Sequence, residues 1–293
     1  MKKYVLLLSV LLLFSTAFGC CFPGDAPAVV ATTLPVYEFA SSICQGTDLQ
    51  VVQLITESVS CLHDYTLQVS QMRTAESAQA IILSGAGLED FMGDILPASA
   101  EIIDASEGIH RIHIEHDHIH EYSHDHSHEQ DPHIWLSPAN AKIMAKNICA
   151  GLSRLFPEND EQFSKNLAEL SSKLDVLEQY GADTLSELSC RELVTFHDGF
   201  AYFAGAFDLH ILRAVEEESG SEAAASEIIE IAELVYAHKL PAIFTECNGS
   251  TAAASIIHAE TGVPVFELDM VISGSSYFEA MYHNIDTLKE ALE

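Results

Sequence analysis

The sequence predicts an α/β protein of two Rossmann-like βα lobes joined by a long helix. Three observations carry that reading. Short apolar runs alternate with helical patterns up to about residue 155, the same alternation resumes beyond about 190, and one unbroken amphipathic stripe lies between them. The chain has 293 residues and is 48% hydrophobic, which is enough to fill the cores of two lobes.

In the first block, residues 29–33, 49–55 and 80–83 read as buried strands, and 37–44 and 71–78 as the helices between them. Ser137-Pro138 supplies an N-cap and a proline at the first helical position, opening an amphipathic helix towards Leu155. Pro157 starts the long helix. Phe163, Leu167, Leu170, Leu174 and Leu177 recur at spacings of three and four, carrying an apolar stripe to about Tyr180, where Gly181 is expected to end or kink it. Strands follow at 192–196, 209–214, 242–245 and 263–267, with helices at 222–237 and 251–260. No internal repeat is visible, so the lobes are expected to share architecture rather than sequence. The expected boundaries are 1–19 for an export signal, 25–156 for the first lobe, 157–188 for the linking helix and 189–293 for the second lobe.

Residues 110–128 break the pattern. They hold eight of the fifteen histidines, interleaved with Asp and Glu and almost free of packing residues, and are expected to form a mobile loop. Within them, His120-Glu121-Tyr122-Ser123-His124 matches the H-E-x-x-H signature of zinc proteases. That chemistry needs a docked helix, and no apolar stripe is present here to dock one, so the match reads as a product of biased composition.

Thirteen Lys+Arg against 44 Asp+Glu give a formal net charge of −31. That balance repels nucleic acid and anionic membrane surfaces and favours cations. Lys2 and Lys3, the apolar run 5–14 and the small residues up to Cys20 read as an export signal, too short to span a bilayer. Ala17-Phe18-Gly19-Cys20 resembles a lipobox, which implies a lipid anchor on Cys20 and a mature protein at the outer face of the cytoplasmic membrane. Ala17 stands where Leu is commoner, which leaves ordinary signal cleavage open. Seven cysteines occur without a C-x-x-C pair, and their pairing is not readable; Cys44, Cys149 and Cys190 sit in apolar contexts and are expected to be buried.

The candidate metal ligands are dispersed. His63 lies in Cys61-Leu62-His63-Asp64-Tyr65, and His133 in Asp131-Pro132-His133-Ile134-Trp135-Leu136. His197 follows a strand in Phe196-His197-Asp198-Gly199-Phe200, and Asp269 follows the strand ending at Leu268. Ligands of open α/β sheets bind beyond the carboxyl ends of strands, which gives His197 and Asp269 plausible places in a shared cleft. Three imidazoles and a carboxylate suit Zn²⁺ and complete a tetrahedron, leaving no position for an activated water. Imidazole must be neutral to coordinate, so binding should weaken as pH falls through about 6.5, the ordinary imidazole value.

Taken together, these segments resemble the solute-binding lipoproteins of zinc and manganese ABC importers (cluster A-I). The likeness rests on His63-Asp64-Tyr65, Gly85-Ala86-Gly87-Leu88-Glu89, the Asp131 to Leu136 run, the His197-Asp198-Gly199-Phe200 turn, Leu268-Asp269, and a closing helix with Tyr277-Phe278-Glu279-Ala280-Met281, Asn284 and Leu288. It spans essentially the whole mature chain, in order. What the resemblance implies is a rigid inter-lobe helix and one metal at the lobe interface. His63 and His133 would come from the first lobe, His197 and Asp269 from the second. A histidine at the third position and a His-rich loop resemble the zinc branch, in keeping with the preference of imidazole for zinc over manganese. The implied partners are an ABC permease and its ATPase. The implied cargo is one tightly held Zn²⁺, with weaker zinc sites in the loop 110–128, and the protein is expected to be a monomer and not an enzyme. Leu62 and Met270 stand where proline is usual, and Cys61 where a small residue is. Glu246, at the end of a strand, matches a position that is not usually a ligand. The rival readings are a manganese or ferrous-iron carrier, a secreted zinc hydrolase, and a metal-buffering surface protein or adhesin.

Overall fold

A computed structural model describes residues 28–57, 59, 62, 65–113, 130–215, 224–247, 249–274 and 276–293. The expected signal and lipobox, His63 with Cys61 and Asp64, and all of the His-rich loop beyond His113 lie outside the described residues.

Two four-stranded sheets, all parallel, carry the architecture. The first contains β1 (Val29–Ala31), β2 (Val51–Gln53), β3 (Ala80–Leu83) and β4 (Glu101–Asp104) in the order β2-β1-β3-β4. The second contains β5 (Glu192–Thr195), β6 (His210–Ala214), β7 (Ile243–Glu246) and β8 (Val265–Leu268) in the order β6-β5-β7-β8. The two orders are the same pattern, so the lobes share topology without a sequence repeat. Central strands such as Val29–Ala31 are buried along their length, as expected where helices cover both faces of a parallel sheet.

Helices α1 (Leu34–Ile43), α2 (Val69–Ser77) and α3 (Pro138–Leu155) belong to the first half. Beyond them come α5 (Ala201–Ala206), α6 (Ala225–His238), α7 (Ala252–Thr261) and α8 (Tyr277–Leu292). Ser137 caps α3 as the sequence predicts, its Oγ accepting the Asn140 amide. Between the halves, α4 (Asp160–Thr184) buries Phe163, Leu170, Leu174 and Leu177. Gly181 neither ends nor kinks it. The glycine sits under the Phe207 ring, where a Cβ would lie 2.2 Å from Cε1, so it is there for close packing. No helix of the described residues is long and apolar enough to cross a membrane.

One continuous apolar core runs from the first sheet through α3 and α4 to Phe203, Leu268, Tyr277 and α8. A second, smaller core lies between the second sheet and α6 and α7. The C-terminal helix α8 packs against both α4 and α1. Its N-terminus is held by the first lobe, since the Tyr277 amide donates to Glu38 Oε1 at 2.8 Å. The two halves are therefore stitched together rather than hinged on one strap.

Two elements are absent from the sequence reading. β4 has only two apolar residues, Ile102 and Ile103, between Glu101 and Asp104, and so shows no apolar run. The six residues of α5 are too few for a helical period. Cys44 and Cys149 are buried as expected, whereas Cys190 is only partly so; these three and Cys247 are free thiols among the described residues.

Candidate metal centre

The second sheet sets one side of the site. In the order β6-β5-β7-β8 the chain reverses direction of travel between β5 and β7, the switch point where α/β sheets open a crevice. The carboxyl ends of β5, β7 and β8 carry His197, Glu246 and Asp269 side by side. From the first lobe comes His133, N-cap of the 3₁₀ turn Ile134–Leu136. The His133 and His197 rings meet edge to face with centroids 5.2 Å apart.

Each imidazole is oriented by a carboxylate on Nδ1. Asp131 Oδ1 accepts both the His133 amide and its Nδ1–H, each at 2.8 Å, within a site where His133 is 1% exposed. The His197 side chain, 14% exposed, has Nδ1 3.3 Å from Glu246 Oε2. The hydrogen bond to Asp131 fixes the His133 tautomer and leaves its Nε2 lone pair for an electrophile, while Glu246 lies within ion-pair range of His197 Nδ1. Both Nε2 atoms are buried.

Gly199 makes this approach possible. A Cβ there would lie 2.5 Å from Met270 Cε, 2.7 Å from His197 Cδ2 and 2.9 Å from His133 Cε1. Gly249 does the same for Glu246, whose Cγ would be 2.5 Å from an added Cβ.

The lobes are pinned to one another beside the two rings. Trp135 Nε1 donates to the Met270 carbonyl at 2.9 Å, and Tyr277 Oη donates to the Trp135 carbonyl at 2.8 Å. Asn284 clamps the Asp269 backbone, accepting its amide and donating to its carbonyl, both at 2.7 Å. Asp269 Oδ1 accepts the Val271 amide at 2.7 Å. Val271 sits at φ 59°, a left-handed conformation that costs a β-branched residue about 1–3 kcal/mol and persists because its neighbours over-determine it.

Of the four predicted ligands, the structure brings His133 and His197 together and sets Asp269 at the end of the neighbouring strand. His63 lies outside the described residues. Among the described residues alone, no group of three or more His, Cys, Asp or Glu side chains forms a metal cage. The Cys247 thiol, beside the end of β8, is pushed up to about 11, first by burial and then by the charges of Asp269 and Glu267. The orienting carboxylates Asp131 and Glu246 are absent from the predicted set. Asp131 was legible as a neighbour two residues before His133; Glu246 had only a weak signal, an acidic strand end followed by a glycine turn.

The base of the His-rich segment abuts the site. His113 pairs with Gln130 in an antiparallel bridge, the Asp131 amide donates to the Ile112 carbonyl at 2.9 Å, and Tyr202 of the second lobe donates to the His110 carbonyl at 3.2 Å. The H-E-x-x-H match itself falls outside the described residues.

The family model described as zinc-uptake complex component A, periplasmic, matches residues 29–291, the region that contains both sheets and every one of these turns. The chain belongs to this family. It is similar to the zinc-binding lipoprotein AdcA of Streptococcus pneumoniae, 28% identical over 100% of this chain and 62% of that protein. The chain thus spans less than two thirds of the length of that relative. It is also similar to the manganese ABC transporter substrate-binding lipoprotein PsaA of Streptococcus mitis, 26% identical over 100% of this chain and 99% of that protein. The crystal structure of ZnuA superposes with a TM-score of 0.79 at 26% identity, covering 92% of this chain and 100% of that one. Membership of the zinc-uptake family agrees with the resemblance read from the motifs, and the superposition agrees with the two-lobed α/β fold and its long connecting helix.

Proposed function

We propose that the mature chain is the extracytoplasmic zinc-binding component of an ABC importer, holding one Zn²⁺ between its lobes and passing it to a membrane permease driven by an ATPase. The ligands in this reading are His63, His133, His197 and Asp269. Cys20 carries the lipid anchor, and the protein acts as a monomer. It binds and releases, so no catalysis is asked of it.

One observation carries the reading. Two imidazoles from different lobes face each other at 5.2 Å between centroids, each steered by a buried or nearly buried carboxylate. A pair of oriented imidazoles in an acidic surround suits a borderline-soft divalent ion. Asp131 and Glu246 add negative potential that favours a cation over any anion.

The likeness to a manganese-binding lipoprotein keeps manganese as the second reading. Titrating the metal-stripped protein with Zn²⁺ and Mn²⁺, beside a His197→Ala variant, tests both. The zinc reading requires one tight Zn²⁺ site, weaker Mn²⁺ binding, and loss of the tight site in the variant. Equal or tighter Mn²⁺ binding would favour the second reading, and an unaltered tight zinc site in His197→Ala would refute the ligand set. Binding should also be much weaker at pH 5 than at pH 7.5. Deleting residues 110–128 should leave the tight site and remove weaker ones; unchanged stoichiometry would refute metal capture by the loop.

A further inference from the structure

Among the described residues, the tip of Met270 and the edges of both imidazoles converge on the notch at Gly199. Met270 is 3% exposed. A single point, the place a Gly199 Cβ would occupy, lies 2.5 Å from Met270 Cε, 2.7 Å from His197 Cδ2 and 2.9 Å from His133 Cε1. The atoms nearest to a space that a methyl group would overfill therefore belong to one thioether side chain and two rings. Met270 is held firmly from the backbone. The Met270 carbonyl accepts Trp135 Nε1 at 2.9 Å, and the next residue, Val271, is kept at φ 59° with its amide on Asp269 Oδ1.

We propose that Met270 is a specificity-determining residue of this site: by filling the space beside the two imidazoles it excludes water and so favours ions content with few ligands. The inference rests on the carrier reading above and deepens it. Zn²⁺ is satisfied by four ligands. Mn²⁺, like Mg²⁺, is served by six mostly oxygen ligands, several of them commonly water. A buried apolar side chain beside the imidazole edges disfavours those waters, so it costs the six-coordinate ion more than the four-coordinate one. Met suits the task because its flexible, unbranched side chain fills irregular gaps.

The test is the ratio of Zn²⁺ to Mn²⁺ affinity in the full mature protein, measured by competition titration for wild type, Met270→Ala and Met270→Leu. The expected result is that Met270→Ala narrows the zinc preference by about tenfold or more, chiefly through tighter Mn²⁺ binding. Met270→Leu, of nearly equal volume, restores it. A merely structural role predicts instead that both metals weaken together in Met270→Ala, with the ratio unchanged, and that result would overturn the inference. Melting of the metal-free proteins verifies folding; should the alanine variant not fold, Met270→Val shortens the same side chain and is read in the same way. A wild-type protein that takes up no zinc would defeat the carrier reading and this inference together, whereas an unchanged ratio in a zinc-binding protein defeats the inference alone.

Discussion

The two lobes have the same strand order but use their switch points in opposite ways. In the first lobe, Glu89 folds back over the ends of β1 and β3. It accepts Thr32 Oγ1 at 2.6 Å, the Ser84 amide at 2.7 Å and the Gly85 amide at 3.0 Å, while Thr33 and Ser84 share a hydroxyl hydrogen bond at 2.8 Å. Gly85, at φ 80°, lets the chain pass so close to β4 that a Cβ would collide with Asp104 Oδ1. The crevice is plugged by its own side chains. In the second lobe the equivalent strand ends carry His197 and Glu246, and the space in front of them is filled by a residue of the other lobe, His133. The same architecture thus leaves the β1/β3 end closed by its own side chains and the β5/β7 end facing His133 of the other lobe. Function resides in the residues at the strand ends, and the sheet only presents them.

The largest expected effect is the asymmetry itself. His197→Ala should weaken zinc binding by more than about a hundredfold, beyond the 10–100-fold typical of losing an orienting partner. Ser84→Ala, at the corresponding strand end of the first lobe, should leave zinc affinity within about threefold, since this hydroxyl only plugs its own lobe. Competition with a chromophoric chelator reads both, and equal losses would erase the distinction between the two ends. Next comes Glu246→Gln, which keeps the shape but not the charge beside His197 Nδ1. Zinc affinity should fall by about 10–100-fold with metal-free melting little changed. An unaltered affinity would show that Glu246 does not orient His197.

Gly199→Ala should act on both stability and binding. The rings that its Cβ would meet are held by carboxylates, so accommodation should cost about 1–3 kcal/mol of metal-free stability as well as weakening zinc binding. Unchanged melting would mean that the rings give way freely. The last effect belongs to the closed end of the first lobe and touches stability alone. Burial pushes the Glu89 carboxyl up to about 7 from its ordinary 4.5, against three hydrogen bonds that favour the charged form. The folded state therefore holds a proton that the unfolded chain releases at lower pH. Stability from this group is fully present below about 4.5 and is lost as pH rises through about 7. Melting of the metal-free protein should drop across that window, and Glu89→Gln should flatten the drop; an unchanged slope would contradict the assignment.

The same contrast explains what was legible in the sequence. Seven of the eight strands announced themselves as apolar runs; β4 did not, because Glu101 and Asp104 enclose its two isoleucines. His133 and His197 were visible because each lies in a short motif with its own Asp and aromatic neighbours. The partner of His133, Asp131, is local, and local geometry is readable from spacing. The partner of His197, Glu246, is brought to it by the pairing of β5 with β7, and no spacing along the chain encodes that contact. The expected end of the long helix at Gly181 failed for a related reason: the glycine answers to Phe207, a residue of the second lobe.

The central claim is that residues of two lobes share one ion, and a double-mutant cycle on His133 and His197 tests it most directly. Zinc affinity would be measured for wild type, His133→Ala, His197→Ala and the double variant. A shared ion predicts that either single change removes the tight site and that the second adds little, a strongly non-additive cycle. Losses that simply add, or a stoichiometry that falls stepwise from two tight ions to one, would mean that the histidines serve separate sites and would contradict the account.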